Sequence, residues 1–217
     1  MMLDRIRAAL VALAALTLAF AALPTVARGQ IPPPPEPRAW DISMTVLGFL
    51  LPDEGDVAIG VLTADRSAMH LEGRYNYEGL RTGSLFLGRT FVTGSDGWLT
   101  LQPMAGYAFG DTDGVVPALR IMATFGQLEI LSENEYLFAT NDESEDFFYS
   151  WNEVSFWPVE EFRLGVAGER LRVQGSELEW DKGIVAGVAG ESVSASFYGF
   201  NLFSENEFVV VGLTVAF

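Results

Sequence analysis

From residue 40 to the end of the chain no stretch holds a helical period. Apolar and polar residues instead alternate with a period of two. The alternation runs in segments of about ten residues, each closed by a turn rich in Gly, Asp, Asn, Ser or Pro. Twelve segments are legible: 40–50, 56–64, 67–78, 83–93, 97–109, 115–125, 127–139, 146–157, 160–173, 178–189, 192–203 and 206–217. Weaker alternation over 40–64 and 127–157 leaves ten strands as the other count. In the third segment Met69, Leu71, Tyr75 and Tyr77 share one face, and His70, Glu72, Arg74 and Asn76 the other. In the sixth, Val115, Leu119, Ile121 and Phe125 oppose Arg120 and Thr124. In the tenth, Leu178, Trp180, Ile184, Ala186 and Val188 oppose Glu177, Glu179, Asp181 and Gly183. Period two assigns each residue to a side, so the pattern predicts an all-β, antiparallel up-and-down barrel.

A soluble barrel turns its apolar face inward, and a transmembrane barrel turns it outward. Aromatic residues near both ends of the strands favour the second. Trp40, Trp98, Phe125, Phe162 and Phe217, with Phe91, Phe156 and Trp157, make one ring. Tyr75, Tyr77, Tyr107 and Trp180, with Phe49, Phe109, Phe138, Phe147 and Phe203, make the other. Rings with an apolar body and a polar handle suit the two membrane interfaces. The connections also alternate in character. Loops near 53–56, 78–82, 110–114, 141–146, 174–177 and 204–207 are acidic, with Arg81 their only base, whereas 94–97 and 125–127 are tight turns.

The N-terminus reads as an export signal. Arg5 and Arg7 precede an apolar run from Ala8 to Leu23, and Thr25-Val26-Ala27 closes it, which predicts cleavage after Ala27. The run is short for a membrane span and is interrupted by Pro24. Residues 28–39 hold consecutive prolines that fix φ and remove amide donors, giving a polyproline II leader ahead of the barrel at 40–217. A net charge of −16 disfavours nucleic acid as a partner. Without cysteine there is neither a disulfide framework nor thiol chemistry, and nothing in the composition calls for a cofactor.

The chain ends in a strand whose final, third-last and fifth-last residues are Phe217, Val215 and Leu213, with Gly212 just before them. This resembles the C-terminal signal of outer-membrane β-barrel proteins of Gram-negative-type bacteria. Val210 stands where that motif carries a polar residue. The resemblance is to the superfamily, with no named subfamily. It implies the outer membrane as location, membrane lipid and lipopolysaccharide as surroundings, recognition of the last strand by the assembly machinery, and, with both termini on the periplasmic side, acidic loops that face the cell exterior.

On the face opposite the apolar one lie His70, Glu72, Arg74, Asn76, Gln102, Arg120, Glu129, Glu133, Glu135, Glu153, Arg163, Glu169, Glu179 and Asp181. If they line water, the acidic excess favours cations and the chain is a narrow channel for small solutes. If Arg74, Arg120 and Arg163 pair with glutamates and close the bore, it is a plugged structural or assembly-related barrel. A lipid-acting enzyme is the remote third reading. It needs a nucleophile and an acid beside His70, the sole histidine, and no catalytic or metal-binding residues are assigned. Asp142-Glu-Ser-Glu-Asp146 lacks the spacing and turn glycine of an EF-hand. Short outer loops argue against a large adhesin or gated receptor.

Two adjacent segments strain the facing assignment. With Glu129, Glu133, Glu135 and Glu153 inward, Ser132, Asn134, Ser150 and Asn152 face lipid. A local register shift or bulge is the favoured explanation, and an oligomer contact or a region beyond the bilayer the other. The oligomeric state is left open.

Overall fold

The structure is a computed structural model that describes residues 40–52, 55–94 and 98–217. The export signal, the proline-rich leader, Asp53 and Glu54 lie outside the described residues. Thirteen strands follow one another: β1 (Asp41–Leu50), β2 (Val57–Arg66), β3 (Met69–Tyr75), β4 (Thr82–Arg89), β5 (Phe91–Thr93), β6 (Leu99–Gly110), β7 (Gly114–Phe125), β8 (Leu128–Ala139), β9 (Phe147–Val159), β10 (Phe162–Val173), β11 (Glu179–Ala189), β12 (Val193–Phe200) and β13 (Phe208–Ala216). Each pairs antiparallel with its neighbours, and β1 pairs with β13, so the sheet closes on itself. Both β4 and β5 pair with β6 and are parted at Thr90, so they form one interrupted barrel strand and the barrel is twelve-stranded. Closure removes the sheet edges except along the short β5, which pairs with β6 alone, and meets the condition for backbone in hydrocarbon.

The apolar face is the outer one. Leu62, Leu85, Leu87, Val166 and Ile184 are exposed, whereas His70, Glu72 and Arg74 are buried inside. The registers extend this to every strand. All strand carboxylates among the described residues lie on the inward parity, from Asp41 and Asp65 through Glu153 to Asp181. Trp98, Tyr107, Phe125 and Trp180 are exposed on the outer wall. Tyr77 is a correction. Asn76 adopts φ 61°, which breaks the alternation after β3 and turns the Tyr77 ring into the bore, where its hydroxyl lies 3.4 Å from a Glu133 oxygen. Asn76 does not line the bore either. Its amide donates to the Ala58 carbonyl (3.0 Å), and its oxygen accepts from the Arg81 amide (2.8 Å), pinning the β3–β4 loop.

The expected bulge between β8 and β9 is also corrected. Their register runs without a break from Leu128↔Phe156 to Leu137↔Phe147. Ser132, Asn134, Ser150 and Asn152 therefore do face outward. The irregularity in this wall lies between β9 and β10, at Phe162/Leu164.

Bulky residues need glycine opposite them in so narrow a bore. Phe86 lies against Gly106, where an added Cβ would stand 2.6 Å from the ring Cε1. Replacing Gly106 with valine is expected to cost about 1–3 kcal/mol through overpacking, read as a lower urea midpoint in micelles.

Candidate functional site

Alternation delivers one inward side chain every second residue, so the bore is built from rows that pair across neighbouring strands. On one side β3, β6, β7 and β8 bring together Glu72, Arg74, Gln102, Arg120, Glu133 and Glu135. Arg74 is the centre. It donates to Glu135 (2.6 Å), Glu78 (3.2 Å) and Glu72, and its guanidinium lies 4.2 Å from the ring centres of both Tyr77 and Phe86. Arg120 donates to Gln102 (2.9 Å), Glu72 (2.9 Å) and Glu133. Gln102 in turn donates to the Thr90 hydroxyl (2.8 Å), at the interruption between β4 and β5. Glu78 comes from the β3–β4 loop, which folds into the bore. Burial pushes its carboxyl above the ordinary range, and the Arg74 charge pulls it back.

His70 bridges two carboxylates: Nδ1 lies 2.8 Å from Asp65 and Nε2 3.0 Å from Glu72. With both ring nitrogens so engaged, neither is placed on a serine or threonine hydroxyl, as activation of such a nucleophile requires. Across the bore, β9, β10 and β12 assemble a second network around Glu153. It accepts from Trp151, Tyr198 and Arg163, each at 2.8 Å. Arg163 also donates to Ser196 (2.8 Å) and the Tyr198 oxygen (3.0 Å). Glu129 lies near the end of the strands opposite the acidic loops, paired with Thr124 and Ser155. Glu179 and Asp181 sit at the acidic-loop end beside Leu51 and Asn201, and Asn201 donates to Asp181.

Much of the interior is apolar, which polar patterning did not announce. Phe86, Met104, Val116 and Leu137 pack around the Arg74 side. Trp151, Tyr198, Phe200 and Phe208 pack on the other side, with Leu47 and Phe49 against them. Phe49, Phe147 and Trp157, expected in the membrane rings, share the inward parity, as the pairings of Phe49 with Val210 and of Phe147 with Leu137 show for the first two. The signal was available in β9: once Glu153 faces inward, parity sends Tyr149, Trp151 and Trp157 with it.

Between the two networks remains a cavity of about 650 Å³. Its lining runs from Ser43, Asp65, Thr100 and Thr214 near one end of the strands to Phe49, Tyr77, Tyr149 and Glu169 towards the acidic-loop end. Its other carboxylates are Glu72, Glu133 and Glu153, against Arg120 and His70. Among the described residues no grouping of His, Asp and Glu is placed to hold a metal. The Asp142–Asp146 loop is folded on itself: Asp146 accepts from the Ala139 amide (2.8 Å), and Asn141 from the Ser144 amide (2.8 Å).

No protein-family model matches the sequence, and no curated relative does. Solved structures share the fold. A KdgM porin in complex with disordered oligogalacturonate superposes with a TM-score of 0.59 at 11% identity, covering 81% of this chain and 99% of that one. KdgM porin described on its own gives 0.56 at 11% identity, covering 81% and 99%. NanC porin gives 0.59 at 8% identity, covering 80% and 98%. With an apolar outer wall, charged networks inside the bore and these neighbours, the chain has the fold of the outer-membrane β-barrel porins.

Proposed function

We propose that the chain is an outer-membrane channel, narrow and weakly cation-preferring, for small solutes. The cavity of about 650 Å³ that follows the β1–β2 side of the bore carries the reading. The acidic residues along it outnumber Arg120 and His70, so the wall attracts cations and repels anions. The KdgM neighbour holds an oligogalacturonate, a polyanion. An acidic lining is unsuited to that cargo, and the shared fold does not carry the cargo with it. Reconstitution into a planar bilayer tests the reading. Discrete conductance steps, a reversal potential on the cation side in a salt gradient, and currents unaffected by oligogalacturonate are expected. A folded, heat-modifiable barrel that leaves the bilayer silent would overturn it.

A second reading has its own observation. The Arg74 network and the apolar cluster of Phe86, Met104, Val116 and Leu137 are buried and close one side of the bore. A barrel closed throughout would be a structural scaffold, and the silent bilayer is its signature.

A further inference from the structure

On the outer wall of the described strands, every charged residue is a cation. Arg66 and Arg89 stand at the strand ends away from the acidic loops, whereas Arg170, Arg172 and Lys182 gather on β10 and β11 near the acidic loops. Among the described residues none of these last three forms an ion pair. Two of them rest on Trp180, with the Arg170 guanidinium 4.4 Å and the Lys182 ammonium 4.5 Å from its ring centre. The ring reaches across Gly168, where an added Cβ would stand 3.4 Å from the indole nitrogen.

The same rows continue sideways into the four polar residues of β8 and β9. Asn134, Ser150, Arg170 and Trp180 pair in one row, and Ser132, Asn152, Gly168 and Lys182 in the next. The four polar side chains close a ring of hydrogen bonds. Ser132 donates to Asn152 (2.7 Å), Asn152 to Ser150 (2.8 Å), Ser150 to Asn134 (2.9 Å) and Asn134 to Ser132 (2.9 Å). Each asparagine uses one N–H in the ring and keeps a second to donate. The rows below are apolar: Ile130, Val154, Val166 and Ile184 pair across the same four strands.

We infer that this patch binds the phosphate-bearing headgroup of an outer-leaflet lipid, with its acyl chains lying on the apolar rows beneath. The cations supply charge-assisted donors at the depth where such phosphates sit, since Lys182 is within about 10 Å of the strand ends at ~3.3 Å per residue. A second copy of the chain is the poorer occupant. A two-fold contact through the patch sets cation against cation. Any other strand face offers no carboxylate among the described residues, because all of those point into the bore.

Native mass spectrometry of the full chain in detergent, with a glycolipid carrying two phosphates (lipid A) and its dephosphorylated form, tests this. Retention of the phosphorylated form alone is expected. The combined variant Arg170→Gln, Arg172→Gln and Lys182→Gln should lose it at least tenfold while remaining heat-modifiable. The control Arg66→Gln with Arg89→Gln should retain it. Equal retention by the triple variant, or of the dephosphorylated lipid, would overturn the assignment. So would a lipid-free oligomer of the wild type that the triple variant abolishes, which would make the patch a protomer contact.

Discussion

Replacing Arg74 with methionine is expected to destabilise the barrel by about 3–5 kcal/mol, the range for breaking a buried ion pair from one side. The substitution keeps the aliphatic length and removes the charge. Glu72, Glu78 and Glu135 would then face one another in a sealed part of the bore, where Arg74 now sits with 6% of its surface exposed. Water cannot screen them there, so the cost is that of the carboxylates left behind and not the worth of the lost bonds. Urea titration in micelles, followed by the gel shift of the heat-modifiable form, measures it. Adding Glu78→Gln and Glu135→Gln should recover much of the loss, because it removes the stranded charges as well. A methionine variant as stable as the wild type would show that this network contributes no net stability.

The second large effect falls on ion selectivity. Asp65 and Glu169 line the cavity at different heights. Neutralising either one, as Asp65→Asn or Glu169→Gln, should lower the cation-over-anion permeability ratio about threefold. At ~6 Å in water-like dielectric, screened over a Debye length of about 8 Å, one carboxylate stabilises a passing cation and destabilises an anion by about 0.3 kcal/mol each, and that difference of about 0.7 kcal/mol sets the factor. The double variant should approach the product of the two, since the sites share no partner in the networks described. Reversal potentials in a salt gradient give the ratios directly. Unchanged ratios with undiminished conductance would place the ion path elsewhere in the bore. Glu133 is a worse probe, because its neutralisation also releases Arg120 from one of its acids.

The barrel and its facing were legible in the sequence because strand parity is a local property. His70, Glu72 and Arg74 alternate with Met69, Leu71 and Gly73, which separates the two faces, and the aromatic strand ends then say which face is the wall. Parity fails only where the backbone leaves the β region. Asn76 with its positive φ is such a place, and it carried Tyr77 from an expected membrane ring into the bore. The aromatics at Phe49, Phe147 and Trp157 depart from expectation for another reason. Their hydrophobicity suits a membrane ring, but parity turns them inward, where a narrow bore needs bulky apolar residues to fill it.

The polar residues of β8 and β9 show the converse. Polar side chains facing outward suggest a shifted register, yet the register is continuous and the four side chains satisfy one another. A closed hydrogen-bond ring between two strands cannot be read from either strand alone, because it depends on which residues pair across them.

The sequence by itself determined a wall of alternating β-strands with one apolar face, one charged face and acidic loops at one end, since each of these follows from local period and composition. Only the tertiary structure decided which charges meet. Arg74 finds Glu135, which is 61 residues away in the chain. Arg170 and Lys182 meet over Trp180 through pairing across β10 and β11. The physical reason is that period two fixes the side of the wall, whereas strand register and closure fix the neighbours, and electrostatics acts between neighbours.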